Sequence, residues 1–379
     1  MSALYEVVVY SGPEDPLVDE FKNKISELIG AFGLELGRDF AWTLNPKSLP
    51  VKQMVPTAVL YLSANHAPAP AELIATKIPI LPVIPNLNEA SKLIPEELRH
   101  LNCLGFAEQG LDRGAGALLE TLNLLPRQRR IFLSYKRDEA REAAVQLADA
   151  LANRQFEVFL DTRGVPPGED FQAQLWHKLC DCDVLLMLHT PNYFSSRWTS
   201  AEFGRALAKH IPVLSVTWPD DTPDIRTQTA ARAELLDSEV DKGTGRLSEA
   251  AIDRIAKQLE KLRAQSYAVR NLNLISRLKT AVQQVGGQML GQGWQSTVHL
   301  KLADGRSIRL FPNVGVPTSD LLHLASTNRG GMDAAVAYDE IGMLATWVEH
   351  LDWLGQHIPS VHWVKASNAA WQFADWRSS

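Results

Sequence analysis

Three short stretches in the middle of this 379-residue chain carry residue types that could do chemistry together. The first is Ile131-Phe132-Leu133-Ser134-Tyr135-Lys136-Arg137-Asp138, an apolar run that ends in a hydroxyl, an aromatic ring and two cations. The second is Val158-Phe159-Leu160-Asp161, which runs into the glycine- and proline-rich residues 163–171. The third is Ser195-Ser196-Arg197-Trp198-Thr199-Ser200-Ala201-Glu202, which sets a lone carboxylate, Glu202, one helical turn beyond an indole. A carboxylate at a helix start can orient a cationic or developing positive centre. It also has a bland reading: Thr199 to Glu202 fits a capping box, in which Glu202 only reaches back to the backbone of Thr199. Trp198 and Tyr135 have packing readings of the same kind.

The elements around these stretches say where they meet. Residues 131–135, 157–160, 184–189 and 213–217 read as strands, and 138–153, 171–180, 199–210 and 248–285 read as helices. Strands and helices that alternate this way predict a parallel sheet wrapped by helices. Open sheets of that kind bind ligands beyond the carboxyl ends of their strands. Tyr135, Asp161 and residues 191–198 all fall there.

A similar series precedes it. Residues 5–10, 40–43, 58–63, 78–84 and 101–106 read as strands, with helices at 17–29 and 115–125. Ala58-Val59-Leu60-Tyr61-Leu62-Ser63 parallels Val184 to His189, and Lys77-Ile78-Pro79-Ile80-Leu81 parallels His210-Ile211-Pro212-Val213-Leu214, so the two halves read as a tandem pair. After residue 266 the pattern changes. Asp304-Gly305 signals a hairpin between 297–302 and 307–311, a helix is expected over 332–354, and six of the ten tryptophans fall from Trp294 onward. That aromatic bulk, beside Gly291-Gln292-Gly293-Trp294-Gln295, reads as a small core in preference to a ligand pocket. The expected architecture is α/β: two tandem flavodoxin-like βα domains over 1–126 and 127–266, then a smaller α+β domain over 267–379.

Composition excludes several classes. Hydrophobic residues at 45% and charged residues at 22% describe a globular chain, and a net charge of -6 gives no general attraction to nucleic acid or anionic lipid. Three cysteines, two of them Cys180 and Cys182, form neither a disulfide framework nor a metal quartet. His177 and Cys180 read as ordinary face residues. No leader or long apolar span is seen, which reads as a soluble cytoplasmic protein. Gly164 and Gly168 lack a Gly-Lys-Ser/Thr ending and so do not make a triphosphate cradle. A phosphoacceptor site is also excluded, because Lys136 and Arg137 fill the turn where clustered acids would be needed, leaving Asp138 to cap the helix.

Taken in order, the three stretches resemble the Toll/interleukin-1 receptor (TIR) domain family, and specifically its bacterial NAD-cleaving members, over roughly residues 130–219. The first matches the family's opening strand, the second its BB loop, and the third its Trp-x-x-x-Glu arrangement. The resemblance implies cleavage of NAD to nicotinamide and ADP-ribose or a cyclic ADP-ribose, with Glu202 catalytic. Ser134, Tyr135, Lys136, Arg137, Asp161, Phe171 and Trp198 would contact the substrate. Val165, Pro166 and Gly168 would belong to an assembly loop through which TIR domains form homo-oligomers in an antiviral defence or signalling setting. No metal or cofactor is implied, NAD being the substrate. The nicotinamide leaves as a neutral base from a pyridinium, so no acid need protonate it and one carboxylate suffices to steady the ribosyl cation. A non-enzymatic scaffold for homotypic assembly is the rival expectation. Residues 1–126 have no Trp-x-x-x-Glu, since Glu72 follows Pro70 without a tryptophan, and read as a degenerate TIR-like copy. The flanking regions are expected to receive a protein or small-molecule trigger.

Overall fold

Tyr5-Glu-Val-Val-Val-Tyr10 is buried at every position, as expected for a central strand of a parallel sheet covered on both faces. The computed structural model describes residues 3–47, 55–62, 74–75, 77–160, 170–219, 221–222, 224–293 and 296–376. The chain forms two compact units, residues 1–127 with 293–296, and residues 128–292 with 297–379.

In the first unit, β1 (Tyr5–Tyr10), α1 (Pro16–Gly30), β2 (Phe40–Leu44), β3 (Thr57–Leu62), β4 (Ile80–Ile84), α2 (Ala90–Leu93), β5 (Leu104–Gly105) and α3 (Phe106–Thr121) follow one another. The strands form one parallel sheet in the order β2-β1-β3-β4-β5. Helix α1 starts where Asp15 accepts the Leu17 N–H at 3.0 Å and Pro16 supplies a helical φ. It buries Phe21, Ile25, Leu28 and Ile29.

The second unit opens with β6 (Arg130–Tyr135), α4 (Arg137–Asn153), β7 (Glu157–Leu160), α5 (Phe171–Asp181), β8 (Val184–His189), α6 (Arg197–Ala208), β9 (Val213–Thr217) and β10 (Ala231–Glu234). Their order, β7-β6-β8-β9-β10, repeats the connectivity of the first sheet, again all parallel. The tandem pairing holds to single residues. The Val59 N–H donates to Pro79 O and the Leu185 N–H to Pro212 O, each at 2.9 Å. Lys77 and His210, which precede those prolines, both take left-handed φ values, 57° and 55°.

The middle sheet has two differently filled faces. Ile131, Leu133, Tyr135, Leu186 and Leu188 pack against α4 and the start of α7 (Glu249–Gln284). Phe132, Leu185 and Met187 face α5 and α6 with Leu175, Tyr193 and Phe203. Ile252, Ile255 and Leu259 of α7 are fully buried on the first face, each worth about 1.5–3 kcal/mol of transfer free energy.

Helix α7 then continues without a break past residue 266, and its later residues Leu274, Leu278 and Val282 cover a third sheet. That sheet contains β11 (Gln288–Gln292), β12 (Val298–Lys301), β13 (Ser307–Asn313), β14 (Asp333–Tyr338) and β15 (His362–Lys365), in chain order. The first three pair antiparallel and the last three parallel. Three helices accompany it, α8 (Ser319–Thr327), α9 (Ala345–His357) and α10 (Ala369–Ala374). The expected hairpin at Asp304-Gly305 is present, with Gly305 at φ 89°.

The helix expected over 332–354 is corrected. Asp333-Ala-Ala-Val-Ala-Tyr338 is a strand, and only Ala345–His357 is helical. A strand covered on both faces shows a continuous apolar run in place of alternation, and alanines hide its period. The aromatic core is also narrower than expected. Trp363 and Trp376 are buried, whereas Trp371 is 81% exposed and Trp353 51%. Among the described residues no helix is long and apolar enough to cross a membrane.

Candidate functional site

Strand β6 delivers Ser134 to the carboxyl edge of the middle sheet, on the face that meets α6. Ser134 is 1% exposed, and its Oγ donates to Glu202 Oε2 at 2.5 Å. The Tyr193 hydroxyl lies 2.6 Å from the same Oγ. Because the serine proton is directed to the carboxylate, Tyr193 is the donor in that second bond. Burial, and then the charge of Glu202, push the Tyr193 phenol far above its ordinary range, so it stays protonated. The result is a buried relay, Tyr193 to Ser134 to Glu202, that holds one carboxylate oxygen in place.

Glu202 comes from α6, and its position corrects the capping-box reading. The helix begins at Arg197, with Ser196 as its cap accepting the Trp198 N–H at 3.3 Å. Glu202 is therefore in the second turn, 4% exposed. Thr199 instead ties the helix to the preceding turn, donating to Tyr193 O and, at 3.2 Å, to Ser196 O. That bond locks the turn that carries the phenol to the helix that carries the carboxylate.

Trp198, one turn before Glu202 on the same helix face, is 45% exposed with the Arg197 guanidinium 4.3 Å over its ring. It stands at the rim with an open face. Phe171, the first residue of α5, is 38% exposed, and Asp170 caps that helix by accepting from Gln172 N and Ala173 N. Tyr135 is not brought to this cluster. Successive strand residues face opposite sides, and Tyr135 is 3% exposed in the apolar core beneath α4. Lys136 pairs with Glu139 at 2.8 Å, and Arg137 is exposed at the start of α4. Lys136 occupies the cap position, so Asp138 lies in the first turn and not at the cap. Asp161, Val165, Pro166 and Gly168 lie outside the described residues.

Three residues at this edge escape the motifs. Tyr193 has only one sequence signal, a hydroxyl-bearing ring in a segment already placed at the carboxyl edge. Glu139 binds the loop after β8, accepting from Asn192 Nδ2 at 2.8 Å and Asn192 N at 3.3 Å. Partial burial pushes its carboxyl up, but the bonds from Lys136, Thr190 and Asn192 outweigh this and bring it down to about 2. His189 ends β8, 4% exposed, with Nδ1 3.6 Å from Asp221 Oδ2 and its ring edge-on to Phe194 at 5.6 Å. Burial lowers its pKa, and the nearby Asp221 opposes that shift. His177 accepts the Leu344 N–H at Nδ1, 3.3 Å, and lies 6.0 Å from the Trp347 ring.

A cluster of this build orients a carboxylate in a desolvated edge, where charge acts more strongly than in water. Among the described residues no group of histidine, cysteine and acidic side chains has a metal-binding arrangement.

Comparison with known proteins gives a family match for the segment that holds this site. The model of the TIR domain matches residues 131–248. Twelve solved chains also match. One of them, the TIR domains of the activated Roq1 resistosome directly recognizing the pathogen effector XopQ, is 18% identical over 38% of this chain and 82% of that chain, with a TM-score of 0.24. No curated protein matches. The matched segment runs from the second residue of β6 to Ser248, the cap of α7, and so spans the whole middle sheet with Ser134, Tyr193 and Glu202 inside it. Residues 131–248 of the chain are therefore a TIR domain.

Proposed function

We propose that the TIR domain is an NAD glycohydrolase in which Glu202 is the catalytic carboxylate. The observation that carries the reading is the buried relay that fixes Glu202 Oε2 at the carboxyl end of β6. A carboxylate held by a neutral donor chain is fixed in direction without an ion-pair partner from that chain. It is then ready to face the ribosyl centre of NAD as the C–N bond to nicotinamide breaks. The bonding pair leaves with the pyridinium nitrogen, nicotinamide departs neutral, and the sugar carries the positive charge opposite Glu202. Water then adds to the sugar and loses a proton, giving ADP-ribose, or a hydroxyl or ring nitrogen of the same molecule adds to give a cyclic product. Trp198, open at the rim one turn away, offers a face for a planar ring. The setting we propose is defence or signalling, with activity raised when TIR domains assemble into homo-oligomers.

The test is nicotinamide release from NAD by the full chain, dilute and under crowding, compared with Glu202→Gln. Glutamine keeps the shape and an acceptor for Ser134, so the variant should melt near the wild type while losing about a thousandfold or more of the rate. Equal release from both proteins, or none from the wild type in any assembled state, would leave the non-enzymatic scaffold as the better reading.

A further inference from the structure

A cavity of about 370 Å³ opens in the second unit where the end of α6 and the middle of α7 meet the third sheet. Its walls are of two kinds. Cys180, Ala208, Leu274 and Val314 are apolar or neutral, while Lys209, Arg270 and Arg277 bring three positive charges against the single carboxylate of Asp339. Lys209 and Asp339 pair at 2.8 Å, and Arg277 reaches the same carboxylate at 3.4 Å. Arg270 donates to the carbonyls of Cys182 and Cys180, at 2.7 and 3.1 Å, which hold the guanidinium in place without cancelling its charge. Three cations against one anion leave a surplus of two positive charges.

The position of the cavity is independent of its charge and points the same way. Asn313 ends β13, and Asp339 follows the end of β14, so the cavity lies beyond the carboxyl ends of the parallel half of the third sheet. Open parallel sheets take ligands in that crevice. A second cavity of about 310 Å³ continues it past the end of β15, sharing Ser276 and Arg277 and adding Ser367 and Ala370. Two glycines keep the loops of this sheet close to α5. A Cβ on Gly315, at φ 96°, would come within 2.9 Å of Asp181 Oδ1, and one on Gly342, at φ 87°, within 2.5 Å of Cys180 Sγ.

We propose that this groove binds a dianionic organic phosphate of about mononucleotide size, its phosphate held by Lys209, Arg270 and Arg277 and its body laid along the neutral walls. The volume exceeds what inorganic phosphate needs and falls at the lower end of small-molecule pockets. The binding is separate from any chemistry at Glu202, although α6 carries both Glu202 and the wall formed by Ala208.

Calorimetric titration of the full chain with AMP, ribose 5-phosphate, inorganic phosphate and adenosine tests this. AMP or ribose 5-phosphate should bind more tightly than inorganic phosphate, adenosine should not bind, and added salt should weaken the interaction. Arg277→Glu should weaken binding about tenfold or more, and Asp339→Asn, which releases Lys209 and Arg277, should tighten it several-fold, about three- to tenfold. Melting curves confirm that both variants are folded. If none of the three phosphates binds at about 10 mM, or if binding ignores Arg277→Glu, the proposal is overturned.

Discussion

The N-terminal and middle sheets share connectivity, register and even the left-handed residue before the fourth strand, yet they finish their carboxyl edges differently. Register makes the comparison residue by residue. Val7 pairs with Ala58 as Ile131 pairs with Val184, so Tyr10 occupies the place of Ser134 and Thr57 that of Asp183. In the N-terminal sheet Tyr10 and Tyr61 fill their face with Ile84, Ile94 and Leu98. In the middle sheet a serine replaces the ring, and the space goes to a carboxylate brought in by α6. At the amino edge, the Thr57 hydroxyl donates to its neighbour Val55 O at 3.0 Å, while Asp183 accepts the Arg130 N–H at 3.1 Å and faces Arg263 at 2.9 Å. One topology thus holds either a hydrocarbon-rich edge or a charged one, and the choice is made by a few side chains.

The amino-edge difference should have the largest effect on stability. Arg263 is 1% exposed, and Arg263→Ala would leave Asp183 buried and uncompensated, costing the second unit about 3–5 kcal/mol. Chemical denaturation followed by tryptophan fluorescence measures it. A loss below about 1 kcal/mol would mean the pair is not what separates the two sheets at that edge.

Exchanging the carboxyl-edge residues attacks the comparison directly. Ser134→Tyr should overfill the face at about 1–3 kcal/mol and displace Glu202, removing nicotinamide release. The reciprocal Tyr10→Ser opens a cavity in the first unit, at about 3 kcal/mol or somewhat less, and should leave release unchanged. Retained release in Ser134→Tyr would show that the serine is not what admits the carboxylate.

Much of this contrast is legible in the sequence. The tandem repeat came from two ordered pairs of short runs, because buried parallel strands need continuous apolar sequence and the turn before each must end in His-Ile-Pro or Lys-Ile-Pro. Ser134 and Glu202 were readable because each sits in a motif. Tyr193 was not, since its role depends on a turn folding back by one hydroxyl length, which no local period encodes. Tyr135 was misplaced for the opposite reason: the motif suggested a ligand role, while strand alternation already assigned it to the opposite face from Ser134. In the third region the sequence of β14 reads as helix because Ala335 and Ala337 satisfy either period. The groove beside it depends on α7, α6 and two strands far apart in the chain, and no single segment announces it.

The relay itself offers a smaller test. Tyr193→Phe removes one hydroxyl and leaves a ring of the same shape, so Ser134 loses its donor but Glu202 keeps its own. Release should fall about tenfold with the melting temperature nearly unchanged. A fall in both by similar free energies would make the phenol a packing residue, as Tyr10 is in the N-terminal sheet.

The smallest expected effect concerns Glu139, which ties the loops after β6 and β8 and has pKa about 2 in the folded chain. A carboxyl whose folded pKa lies below its unfolded value stabilises the fold when ionised in both states, and that contribution is lost as pH falls through the folded value. Here the window runs from about 4.5 down to about 2. Above pH 5, Glu139→Gln should therefore cost roughly 1 kcal/mol, the scale of partly exposed charge-assisted bonds. Between pH 4.5 and 2 the difference between wild type and variant should shrink toward zero, because the wild-type carboxyl takes up its proton while glutamine has none to take. Urea melts of both proteins at several pH values follow it. A difference that stays constant to pH 2 would mean that the loops are joined by Asn192 and Lys136 through shape alone.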